Sequence, residues 1–194
     1  MYSILENISN EIVINNSKFI TILYKVYDIK DIDKYLDDVR KIYRDATHYC
    51  YGYIIDDKIK FSDDGEPSST AGVPIIEVLK KRKLNYILAI VVRYFGGIKL
   101  GANGLIRAYS GSVSKALDNS ELVVLEKGYN VDIYFNYQES KNVDYLLKDI
   151  KINNKDYLEN IKYNIDIPIS FIDILDSNSI SYKIKKDIYI EKRL

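Results

Sequence analysis

"RYFGGIKLGANGLIRAYS", residues 93–110, decides how this sequence is read. Four of the chain's nine glycines (Gly96, Gly97, Gly101 and Gly104) fall within nine residues of it. Glycine at this density marks backbone that turns with positive φ or closely approaches something else. Just upstream, "YILAIVV" is apolar at every position, which predicts a central strand buried on both faces. Downstream, Leu105, Tyr109, Val113, Ala116 and Leu117 recur at helical spacing and predict a helix from about Asn103 to Asn119. Arg107, Ser110 and Ser114 fall together on a separate face of it. The stretch therefore reads as a buried strand, a glycine turn and the start of a helix.

The first N–H groups of a helix are unpaired and carry partial positive charge, so this arrangement suits an anion. Arg93, Lys99 and Arg107 add cationic donors, and Gly96, Gly97, Gly101, Asn103 and Gly104 supply the backbone. Two familiar phosphate signatures are missing. Gly96 and Gly101 have the gap of a P-loop, but Ala102 and Asn103 stand where Lys and Ser/Thr belong, and there is no G-x-G-x-x-G. The charge distribution favours an anion all the same. The chain carries 28 basic and 28 acidic residues and is neutral overall, yet seven basic and no acidic residues lie between Lys80 and Arg107. The alternative is structural: cations end helices for dipole reasons, and glycines permit tight strand–helix packing.

Working outward, "SKFITILYKVYD" (17–28) reads as a strand. In the next segment Ile29, Ile32, Leu36, Val39 and Tyr43 predict an amphipathic helix. "THYCYGYII" (47–55) alternates as a strand, with "IKF" (59–61) as its hairpin partner. Then "SDDGEPSSTAGVP" (62–74) is dense in turn formers and leads into the helix "IIEVLKKRK", with Ser69 or Thr70 as its expected cap. Asp63, Asp64 and Glu66 form an acidic rim here. They could bind a cation, serve as turn residues, or pair with Arg93 or Arg107 and fix their orientation. His48 and Cys50, at i and i+2 on a strand, share a face. They read either as a reactive couple or as a half-buried pair, and His48 and Thr70 are possible accessories to the anion site.

From about residue 125 the pattern restarts as strand, helix, strand, strand, helix, strand, the ferredoxin-like order. The expected fold class is α+β, with domains at 1–124 and 125–194. A single cysteine excludes an internal disulfide and a cysteine-based zinc cluster. No metal or cofactor is expected. No apolar run approaches the ~20 residues of a membrane span, and no secretory signal opens the chain, so a cytoplasmic protein with no membrane partner is expected.

"ATHYCYGYII", "FSDDGEPSSTAGVPIIEVL" and "VVRYFGGIKLGANGLIRAYSGSVSKAL" together resemble the YigZ/IMPACT family, over about residues 17–120. The resemblance implies an N-terminal domain like the second domain of ribosomal protein S five. It also implies a C-terminal ferredoxin-like domain similar to the last domain of elongation factor G. It further implies a role in regulating translation, with RNA, a ribosomal particle or a translation-related protein as partner. Among the family's recurring positions, His48, Asp63, Asp64, Gly65, Glu66, Thr70, Arg93, Gly96, Gly97, Gly101, Gly104, Arg107 and Tyr109 are matched here. Val92 stands where Thr is usual, and Ala102-Asn103 replaces Thr-Gly, which removes two hydroxyl donors; Asn103 can still serve as a turn or cap residue. The rival function is an enzyme acting on a small phosphorylated or acidic ligand, using His48 with Asp63, Asp64 or Glu66.

Overall fold

The computed structural model describes residues 1–193; the last residue of the expected second domain, at 194, lies outside the described residues. The chain divides into two compact units, Met1–Val123 and Val124–Arg193.

The first unit is built on a five-stranded antiparallel sheet. Along the chain come β1 (Tyr2–Ile4), β2 (Ile8–Ile14), β3 (Ser17–Lys25), α1 (Ile32–Ile42), β4 (His48–Ile55), β5 (Lys58–Ser62), α2 (Gly72–Lys81), β6 (Ile87–Tyr94) and α3 (Gly101–Asp118). The sheet order is β2-β3-β6-β4-β5, which puts the apolar β6 at the centre. Its residues Ile87 to Arg93 are all buried, as an all-apolar strand between two covered faces requires. One face packs on α2 and α3, where Phe19, Cys50 and Val91 meet Ile75, Leu79 and Tyr109. On α1, Tyr35 stacks on Tyr24 of β3 at 4.3 Å, and the carbonyl of Tyr43, which ends α1, accepts the Tyr49 hydroxyl of β4 at 2.6 Å.

Strand β2 was not expected from the sequence. Ile8, Asn10, Ile12 and Ile14 form its half-buried face and Ser9, Glu11 and Val13 its exposed one, but a polar Asn10 on the first and an apolar Val13 on the second blur the alternation in the sequence. A hairpin turn explains its pairing: Asn15 and Asn16 both hold positive φ, 45° and 61°, between the paired Ile14 and Ser17. Two successive left-handed residues match the twist of a two-residue hairpin, and asparagine tolerates that conformation. The cap of α2 is also corrected. Neither Ser69 nor Thr70 caps it; the Thr70 hydroxyl donates to the Pro67 carbonyl at 2.6 Å. The capping group is Asp63, eight residues upstream of Ala71, whose carboxylate accepts from the N–H groups of Ser69, Ala71 and Gly72 at 2.9, 3.0 and 2.8 Å. A charged acceptor facing helix N–H groups satisfies donors that would otherwise be orphaned.

The second unit runs from within β7 (Leu122–Phe135), whose first two residues belong to the first unit, through α4 (Ser140–Leu146), β8 (Lys151–Tyr157), β9 (Ile161–Pro168), α5 (Ile172–Ser177) and β10 (Ser181–Arg193). The element order is βαββαβ and the strands lie β10-β7-β9-β8. Strict alternation places Val131, Ile133, Ile161, Tyr163, Ile165 and Ile167 against Val143 and Leu175 of the helices. The α+β class is the one observed in both units.

Candidate functional site

The pairing register assembles the site. Arg93, at the end of β6, lies opposite Phe19 on one side and His48 on the other, so three side chains form one row across the sheet. The Arg93 guanidinium carbon sits 5.4 Å from the Phe19 ring centre and 5.5 Å from that of Phe95. Glu66 descends onto this row from the loop before α2. Its Oε1 accepts from Arg93 Nη1 at 2.5 Å and from the Tyr109 hydroxyl at 2.8 Å, and its Oε2 lies 3.8 Å from His48 Nε2. His48 Nδ1 is 2.7 Å from the Asp64 carbonyl. A carbonyl oxygen only accepts, so that nitrogen carries the hydrogen and Nε2 faces the carboxylate. Asp64, at φ 42°, turns its own carboxylate onto the Tyr49 N–H at 2.6 Å.

These contacts correct the expected role of Arg93. The residue is 5% exposed, with Nη1 on Glu66 and Nη2 3.5 Å from Ser17 Oγ, so it is a buried ion-pair partner and not a surface phosphate contact. A guanidinium carried into a dry interior needs a hydrogen-bonded counter-ion, and Glu66 is that ion. One atom, Arg93 Nε, is buried with no hydrogen-bond partner. The acidic rim is accordingly not a free carboxylate cluster: Asp63 and Asp64 bind backbone N–H groups and Glu66 binds Arg93. Among the described residues no cluster of three or more His, Cys, Asp or Glu side chains is arranged to hold a metal ion.

Cys50 lies under the same network, 3.0 Å from the Asp63 carbonyl and 3.3 Å from the Tyr109 hydroxyl. Burial pushes its thiol pKa far up; the hydrogen bond with Tyr109 opposes this, and the Glu66, Asp64 and Asp63 carboxylates add to it. Burial likewise pushes the Tyr109 hydroxyl up, helped by Cys50 and Glu66. A thiol held in its neutral form is a poor nucleophile, so the reactive-couple reading of His48 and Cys50 has no support in the geometry. The groups of the rival enzyme site are already engaged: Glu66 with Arg93, Tyr109 and His48, and the Asp63 and Asp64 carboxylates with backbone N–H groups.

The glycine loop divides by role. A Cβ on Gly96 would lie 2.0 Å from the Asn16 backbone carbon, so this glycine exists for close approach to the β2–β3 turn. Its N–H donates to Ser17 Oγ at 3.1 Å. Gly97 and Gly101 hold φ of 86° and 70° with open space around them, and serve the turn itself. Helix α3 starts at Gly101, two residues before the expected start, and Leu100 at its cap position makes no side-chain hydrogen bond. Asn103 is exposed in the first turn and does not cap it. Gly104 is partly buried against Leu100. Lys99 and Arg107 are exposed, and among the described residues neither engages in an ion pair or a side-chain hydrogen bond. Beside them Phe95 and Ile98, to which sequence reading assigned no role, are 46% and 48% exposed. The signal for Phe95 was its position between the strand end and two glycines.

Residues 15–117 match the Impact N-terminal domain family. The chain is 49% identical to the IMPACT family member YvyE of Bacillus subtilis over 125 residues, 63% of this chain and 58% of that protein. It is 34% identical to the IMPACT family member YigZ of Escherichia coli over 162 residues, 80% of this chain and 79% of that protein. The matched stretch thus spans less than two thirds of YvyE's length. A crystal structure described as that of a hypothetical protein is 29% identical, with a TM-score of 0.63, covering 95% of this chain and 97% of the other. No helix among the described residues is long and apolar enough to cross a membrane. By the family match and by its coverage of YigZ, the chain belongs to the IMPACT family.

Proposed function

We propose that this chain binds RNA or a ribosomal particle and acts in the regulation of translation in the cytoplasm, holding the phosphate backbone at the glycine loop. The observation that carries the reading is the pair of unengaged, exposed cations, Lys99 and Arg107, on either side of the uncapped first turn of α3. Free cations beside unpaired helix N–H groups are the arrangement that attracts phosphate. The backbone of Gly97, Gly101, Asn103 and Gly104 contributes N–H groups, and Gly96 holds the loop against the hairpin behind it. Arg93, Glu66, His48, Asp63, Asp64 and Thr70 are engaged with one another or with backbone groups and take no phosphate in this reading. The family resemblance supplies the link to translation.

Binding to ribosomal particles and to short single-stranded RNA across a salt series tests this, with Lys99→Ala/Arg107→Ala alongside. Two phosphate contacts predict a slope of log K on log salt near −1.4 for single strands, flattening towards zero in the double variant. Equal binding by both proteins, or by neither, overturns the reading.

A further inference from the structure

We infer that the outer face of Phe95 is a stacking seat for an unpaired nucleobase, so that the glycine loop takes single-stranded and not duplex nucleic acid. The inference rests on the phosphate-binding reading above and specifies its ligand.

The guanidinium of Arg93 lies over two rings, 5.4 Å from the centre of Phe19 and 5.5 Å from that of Phe95. Arg93 is 5% exposed, so the side of Phe95 that meets it is interior. Phe95 is nevertheless 46% exposed. Arg93 therefore covers one part of the Phe95 ring, and the rest of the side chain is open.

That ring is held in place by its backbone. The Phe95 N–H donates to Thr47 Oγ1 at 2.9 Å, and the Arg93 carbonyl accepts from the Thr47 N–H at 2.8 Å. On the other side Gly96 is locked against Asn16. A pre-positioned, half-exposed aromatic side chain beside free cations is the pairing that single-stranded nucleic acid uses, bases on rings and phosphates on Lys or Arg. Lys99 follows four residues later, within about 14 Å along the chain, close enough to reach a phosphate flanking the stacked base. A duplex keeps its bases stacked on one another and has no free face to offer.

The test uses the full chain and three probes: a short single-stranded RNA, the same sequence as a duplex, and inorganic polyphosphate. Phe95→Ala is expected to weaken single-stranded RNA binding on the order of tenfold, with unchanged polyphosphate binding and an unchanged salt slope. Phe95→Leu keeps an apolar cover over Arg93 without a ring and is expected to lose as much, which separates stacking from folding. The chain has no tryptophan, so Phe95→Trp introduces a single reporter. Its emission is expected to change with single-stranded RNA and to stay constant with polyphosphate. If Phe95→Ala and Phe95→Leu bind single-stranded RNA like the wild type, or lose equally on polyphosphate, the seat does not exist. If the wild type binds duplex and polyphosphate as tightly as single-stranded RNA, this inference falls and the phosphate reading stands. If it binds none of the three, both fall.

Discussion

Glu66 is the residue on which the site depends most. It is the counter-ion of a buried guanidinium and the acceptor of a buried hydroxyl. Glu66→Ala leaves Arg93 charged and unpaired, and should destabilise the first unit by about 3–5 kcal/mol. Glu66→Gln keeps an acceptor and should lose less. Urea denaturation with an unchanged m-value reads both; a loss under ~1 kcal/mol would mean that Arg93 swings out to water. Cys50 gives a second expectation. Its thiol is buried and shifted towards the neutral form. A thiol reagent at neutral pH should therefore leave the native protein unlabelled and label it only when it is unfolded. Labelling of the native chain at the rate of a free thiol would contradict the burial.

At the scale of elements, the loop before α2 is an example of capping at a distance. Asp63→Ala removes the acceptor of three N–H groups and should cost about 2 kcal/mol, the upper end of what a lost cap costs. Hydrogen exchange at Ser69, Ala71 and Gly72 should accelerate, while the middle of α2 keeps its protection. Unchanged exchange at those amides would remove Asp63 from this role. This element also shows what the sequence reveals and what it hides. The strands β3, β4 and β6 and the helix α3 were legible because each writes its own period in apolar residues, and a buried centre leaves no polar interruption. The cap was misread because Ser69 and Thr70 are good local cappers, and nothing local shows a carboxylate folding back from Asp63. Arg93 was misread for a related reason. Beside four glycines it looks like a phosphate ligand, and only the sheet register, which brings residues 19, 48 and 93 into line, shows that it points inward. The pairing of an acidic side chain with Arg93 was among the readings the sequence allowed. Which of the three acids would do it depended on the turn at Asp64 and Gly65, whose φ values are 42° and 85°.

On the scale of the whole molecule, we propose that the two units unfold as separate cooperative bodies, and Asp132 in β7 is a probe for it. Burial raises the pKa of this carboxyl, but the Asn164 amide at 2.7 Å and the ammonium groups of Lys162 and Lys185 at 3.3 and 3.7 Å outweigh burial, and the net direction is down. A carboxyl with a lowered folded-state pKa stabilises the fold above its unfolded value, near ~3.9, and that stability is lost as pH falls through the folded value. Asp132→Asn should therefore flatten the acid limb for amides of residues 124–193 and leave that of residues 1–123 unmoved, as followed by pH-dependent hydrogen exchange. A common shift of both sets would show one cooperative body. The contact of Gly96 with Asn16 has a practical side as well. Hairpin tips are where tags, labels and short insertions are ordinarily placed, because they face solvent and touch nothing. The tip at Asn15–Asn16 is an exception: it is the back wall of the glycine loop, and an insertion there would distort residues eighty positions away in the chain.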